Sequence, residues 1–229
     1  MTIETRQEDF DITTWLDTVK RMIDTKSKDL YSVFVAIGWG VWSWKTSVIT
    51  KKLKEWFEDR LSIIKMDDYF KNEDEVDRNH RGEINRDEPQ SVDLNKLIAD
   101  IKALKWWQKI EKPIYDFVSN KRVNVEEIYP NRIMLLEWIF MLDNIFKEHS
   151  DIKVFVDADP STRLLRILFR DIYRKQMRPA DIMTKYFLQS KPMHEKYIEP
   201  TKKNADIIIK NDLNTESELR KEKLKMIFI

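Results

Sequence analysis

Continuous apolar runs alternate along the chain with segments whose apolar residues recur every three or four positions. The runs are Ser32–Ile37 (SVFVAI), Leu61–Met66, Ile133–Glu137 (IMLLE), Ile152–Asp157 and Asp206–Ile209. They lack polar alternation, which predicts strands buried on both faces. Helical spacing predicts helices over about Ile12–Thr25, Lys45–Arg60, Leu94–Leu104, Ser161–Tyr173, Ala180–Ser190 and Glu216–Lys225. Residues 1–10 read as frayed, residues 71–93 as a long polar functional loop carrying Pro89, and Lys112–Arg122 as extended and aromatic. Strand and helix in alternation predict an α/β fold, a parallel sheet of about five strands covered by helices. Ligands of such sheets bind beyond the carboxyl ends of the strands.

The first strand runs into VAIGWGVWSWKTS, Val35–Ser47. The spacing is that of a phosphate-binding loop, G-x-x-x-x-G-K-[ST], after a buried strand. Lys45 and Thr46 are in place, but both required glycine positions, 39 and 44, hold Trp, as does 42. Such a loop turns consecutive backbone N–H groups toward the phosphates, a geometry that needs glycine for close approach and positive φ. An indole at 39, 42 or 44 would strain the backbone or fill the phosphate site.

The substitution recurs. The chain has 3 Gly and 8 Trp, whereas glycine alone ordinarily makes up about 7% of residues. Trp106 and Trp107 stand where the helix from Leu94 would stop on glycine. Trp138 stands at a tight strand exit after Glu137. Trp15 and Trp56, in contrast, fall on apolar helical stripes. UGA is a reassigned codon, tryptophan in some bacterial lineages and glycine in others. Trp39, Trp42, Trp44, Trp106, Trp107 and Trp138 are therefore read as mis-decoded glycines; decay to a pseudoenzyme would not choose tryptophan each time and spare Lys45 and Thr46. A decayed enzyme or a deliberately mutated chain are the rival readings.

Charged residues make up 35% of the 229, with a net charge of +1 and no basic stripe, so neither a nucleic-acid nor a membrane-surface partner is indicated. There is no cysteine, which excludes disulfides and thiolate metal sites. The N-terminus is polar and acidic, unlike a signal peptide, and a cytoplasmic location is expected.

Several residues carry candidate chemistry. Lys45 would contact the β- and γ-phosphates and Thr46 would ligate Mg²⁺. Asp67 ends the second strand, where a carboxylate can take a proton from an attacking hydroxyl. Asp68 is the weaker of that pair. Glu137 ends a buried strand, where it could hold Mg²⁺ through water. Asp157 and Asp159 read as loop and cap residues. Arg163, Arg166, Arg170, Arg174, Lys175 and Arg178 place cations on and after one helix, able to close over phosphates. Tyr115 and Phe117 could wall a base, or simply pack. The histidines are scattered without metal-ligand spacing.

Together the phosphate loop, MDDYFKN at 66–72, DEPQSVD at 87–93, KPIYDFVSNKR at 112–122, IYPNRIMLLE at 128–137, VFVDADPSTRLLR at 154–166 and KPMHEKYIEPTKKNADIII at 191–209 resemble the uridine/cytidine kinase family of P-loop kinases. The resemblance implies a P-loop NTPase three-layer fold with a helical lid near 163–180, on a kinase domain 31–229 preceded by a helical extension, 1–30. It implies ATP or GTP bound by Trp39, Gly40, Val41, Trp42, Ser43, Trp44, Lys45, Thr46 and Ser47, with Mg²⁺ near Thr46 and Glu137. Asp67 becomes the base on a nucleoside 5′-hydroxyl, Asp87 the partner of the ribose hydroxyls, and Tyr115 and Phe117 the frame of the pyrimidine. Arg170 and the lid cations Arg174, Lys175 and Arg178 would grip phosphates. Family members are often homotetramers.

The departures fall on substrate recognition. Asp-His-Pro is Asp87-Glu88-Pro89 here, the base-reading histidine is Asn120, and the double arginine of the lid helix is Arg166-Ile167. Three readings follow: a uridine/cytidine kinase of pyrimidine salvage, a P-loop kinase of another small alcohol such as a pentose phosphate or pantothenate, or a pseudokinase whose loop is plugged by tryptophan.

Overall fold

The structure, a computed structural model, describes residues 12–40, 46–78 and 85–212. Val41, Trp42, Ser43, Trp44, Lys45 and the helix expected at 216–225 lie outside the described residues. Five apolar runs form one parallel sheet: β1 (Val33–Trp39), β2 (Leu61–Lys65), β5 (Ile133–Glu137), β6 (Ile152–Asp157) and β7 (Ile207–Lys210), in the order β2-β5-β1-β6-β7. β3 (Ile110–Asp116) and β4 (Lys121–Ile128) stand apart as an antiparallel hairpin. The helices are α1 (Ile12–Asp29), α2 (Thr46–Phe57), α3 (Leu94–Lys105), α4 (Pro160–Lys175) and α5 (Pro179–Lys185), which continues as further helical turns to residue 204. The extended reading of Lys112–Arg122 thus resolves into two strands and the turn joining them.

Each sheet face buries its own core, because successive side chains of a strand point to opposite sides. Val33, Val35, Ile37, Ile133, Leu135, Val154 and Val156 face α1 and α2, where Leu16, Val19, Ile23, Ile49, Leu53 and Phe57 cover them. Phe34, Ala36, Ile64, Met134, Leu136 and Phe155 face α3 and the segment 138–146. The result is the expected three-layer α/β/α architecture. The N-terminal helix is therefore part of one covering layer. Its C-terminal turn is fastened by Arg132, whose guanidinium donates to the carbonyls of Ser27 and Tyr31 at 2.9 and 2.6 Å.

The tryptophans divide as their neighbours dictate. Trp15 and Trp56 pack against the core of the α1/α2 face. Trp106 is 80% exposed and Trp107 43%. Trp107 adopts φ 59°, the left-handed region. Its N–H bonds to the Leu104 carbonyl at 3.0 Å, and the Gln108 N–H to the Ala103 carbonyl at 2.9 Å. That is a Schellman stop, whose left-handed residue is ordinarily glycine because Cβ is penalised there. Trp138 is fully buried with its indole N–H lacking an acceptor among the described residues, a loss of about 1–3 kcal/mol. The true glycine at 38 is pressed just as closely, since a Cβ there would meet Leu142 Cγ at 2.9 Å.

Trp107→Gly should raise unfolding stability by about 1 kcal/mol by relieving the left-handed strain. Trp106→Gly, at φ −85°, should give no such gain. Denaturant midpoints of the two variants check this.

Candidate functional site

The parallel register brings three strand ends together. Glu137 pairs with Ile37 of β1 on one side and Lys65 of β2 on the other. Two residues past Lys65 lies Asp67, in a short 3₁₀ turn, Met66–Tyr69. The two carboxylates thus stand on adjacent strands at the carboxyl edge, beside the start of α2 at Thr46.

Asp67 reaches solvent yet is crowded by protein, and the loss of hydration, then Glu137, then Asp68, pushes its carboxyl up to about 6. A carboxylate at that value accepts a proton at neutral pH. Glu137 is buried and also shifted upward by burial, opposed by the Thr50 hydroxyl, which donates to it at 2.8 Å. Thr50 stands one turn after Thr46 in α2, so this bond ties the helix that follows the phosphate loop to the acidic strand end. The donor set fits Mg²⁺: two carboxylates that raise one another's proton affinity are relieved by a divalent cation. No group of three or more His, Cys, Asp or Glu able to hold a metal occurs among the described residues. Glu137 and Thr46 would hold the ion together with phosphate oxygens and water, the usual habit of Mg²⁺.

The turn carrying Asp67 is braced from below. Tyr69 donates to Asp100 of α3 at 2.8 Å, and Lys96 closes on the same carboxylate. Arg122 of β4 donates to the carbonyls of Phe70 and Tyr69 at 2.9 and 3.0 Å and pairs with Asp93 at 3.3 Å. Lys112, itself buried, forms an ion pair with Asp68, so Asp68 is committed while Asp67 is left open.

The remaining expected residues gather on the helical side. Asp87 is pushed upward by burial, opposed by the Ser190 hydroxyl, which donates at 3.0 Å, and by Lys185 and Arg170. Ser190 ends the first of two π turns, Tyr186–Ser190 and His194–Ile198, that follow α5. Ile167, Ile182 and Tyr186 form a small separate core between α4 and the run from α5. Arg170 and Lys175 of α4 both pair with Asp171, and Arg178 pairs with Asp181 at 2.8 Å. Arg174 is exposed. Arg166 is buried, donating to the Asn211 carbonyl at 2.9 Å. On the hairpin, Phe70, Tyr115 and Phe117 meet edge to face, with centroids 5.1 to 6.0 Å apart. Asn120, at φ 55°, makes the hairpin turn. Trp39 ends β1 beside Val156, and the Gly40 N–H bonds to the Val156 carbonyl at 3.0 Å.

Thr50, Lys112, Arg122, Ser190 and Arg86 were not legible as site residues. Lys112 alone had a signal, a lysine opening an otherwise apolar strand.

A family profile for the phosphoribulokinase/uridine kinase family matches residues 42–216. The chain belongs to that family. It is 35% identical over 198 residues to a uridine kinase of Chlamydia pneumoniae, covering 84% of this chain and 89% of the relative. It is 34% identical over 179 residues to a uridine kinase of Clostridium tetani, covering 77% and 86%. Among solved structures the fold matches phosphoribulokinase from Rhodobacter spheroides (TM-score 0.61, 11% identity, 82% of this chain and 74% of that one). It also matches a possible uridine kinase from Bacillus stearothermophilus (TM-score 0.58, 15% identity, 84% and 99%). The kinase family explains the shared edge of phosphate loop and acids: the fold is that of a phosphotransferase. No helix among the described residues is long and apolar enough to cross a membrane.

Asp67 gives a test of this edge. Its folded value, raised from 3.8 to about 6, stabilises the fold below pH 3.8, and that contribution is lost as pH climbs through 6. Asp67→Asn should therefore raise the melting temperature at pH 8 but barely at pH 5. The gain should be about 1 kcal/mol, because water screens an exposed carboxylate.

Proposed function

We propose that the protein transfers the γ-phosphoryl group of ATP or GTP to the 5′-hydroxyl of a nucleoside, uridine or cytidine, giving the monophosphate. The observation that carries this reading is the pairing of an open, proton-hungry Asp67 with Glu137 at the edge where the phosphate loop begins. Asp67 takes the proton from the attacking hydroxyl as the oxygen–phosphorus bond forms. Bound Mg²⁺ would neutralise charge on the transferring phosphoryl group. Asp87, steadied by Ser190, accepts from the ribose hydroxyls. Tyr115 and Phe117 frame the base with Asn120 beside them. Arg170 and the cations Arg174, Lys175 and Arg178 close over the phosphates as a lid, with Arg166 bracing its base. Positioning and charge stabilisation supply the catalysis.

This activity requires glycine at 39, 42 and 44. The left-handed Trp107 and the buried, unmet indole of Trp138 support mis-decoding at sites remote from the loop. A second reading, a kinase of another small alcohol, rests on Asn120 and Ile167, where the resemblance to nucleoside kinases lapses. A plugged pseudokinase is the third.

The chain as written should show no ATP-dependent phosphorylation of uridine. The variant with glycine at 39, 42, 44, 106, 107 and 138 should show it. Equal activity in both would overturn the account of the loop, and a panel adding cytidine, pentose phosphates and pantothenate separates the first two readings. In the gene, UGA is expected at the six positions and UGG at 15 and 56.

A further inference from the structure

We infer that Arg86 reads the base edge and makes this site select uracil over cytosine. The inference rests on the nucleoside reading above and sharpens it.

Arg86 immediately precedes Asp87. Its guanidinium lies 5.0 Å from the centroids of both Phe70 and Tyr115. One terminal nitrogen donates to the Tyr115 hydroxyl and the other to the Lys71 carbonyl at 3.1 Å. The cation therefore covers the ring faces of Phe70 and Tyr115, and a base cannot stack on those faces without displacing it. Phe117 remains open: 58% exposed, it meets both other rings edge-on. A base stacked on Phe117 would turn its polar edge toward Arg86.

The chemistry of that edge decides selectivity. A guanidinium has five N–H donors and no acceptor; the bonds to Tyr115 and Lys71 use two of them among the described residues. It matches the O4 carbonyl of uracil. It cannot match the N4 amino group of cytosine, which is itself a donor. Asn120 does not restore the balance against uracil, because an amide presents a donor and an acceptor and can turn either way. Arginine is also held here as lysine would not be, since its plane rests on aromatic faces while its fork donates in two directions.

Calorimetric titration of the full chain with uridine and with cytidine, without phosphate donor, tests this independently of the phosphate loop. Uridine should bind about tenfold more tightly, the worth of one hydrogen bond whose loss leaves a donor unmet. Arg86→Met and Arg86→Gln should bring the two affinities within about twofold of one another, whereas mere loss of packing would weaken both nucleosides alike. Equal binding by the unaltered chain, or an unchanged ratio in a folded variant, would overturn the role of Arg86. Absence of binding to either nucleoside would overturn the nucleoside reading itself, and this inference with it. The ratio in the unaltered chain stands alone should a variant fail to fold.

Discussion

Everything at the site hangs on the parallel pairing of β5 between β1 and β2. That pairing aligns Ile37, Glu137 and Lys65 across three strands, so the phosphate loop and both acids leave the sheet at one level. The register is fixed by apolar side chains on both faces. A slip of one residue would exchange the two cores and turn Glu137 into the opposite layer. The buried acid is tolerable because Thr50 donates to it and because charge from a nucleotide complex belongs beside it.

The substrate side is held differently, by polar bonds between elements far apart in sequence. Tyr69 reaches Asp100, Arg122 reaches back to residues 69, 70 and 93, and Lys112 engages Asp68. The hairpin β3–β4 has almost no core of its own on β4. It keeps its place through these bonds and the edge-to-face rings beneath its tip. Rigid apolar packing thus sets the phosphate end, and a mesh of hydrogen bonds sets the acceptor end.

The sheet was readable because strands buried on both faces leave continuous apolar runs; IMLLE and VFVD ended where expected. Asp67 and Glu137 were readable because strand ends locate ligands in such sheets. The hairpin was missed as such: β4, KRVNVEEI, is exposed along nearly its whole length and leaves no one-sided apolar pattern. Thr50, Lys112 and Ser190 were missed because their roles lie in contacts across 87, 44 and 103 residues, which no local pattern encodes. Trp107 was suspected from a helix stop alone, and the backbone there is left-handed because the stop, not the side chain, dictates it.

The two π turns after α5 carry a further consequence. A π turn accommodates one residue more than an α turn. Removing one residue between 186 and 190 would let the helix close its ordinary ladder, a local gain in regularity. It would also rotate everything downstream by about 100°, swinging Ser190 off Asp87 and His194 off Glu199. Along this segment the count of residues matters more than their identity. Homologues free to vary its side chains would still be bound to preserve its length.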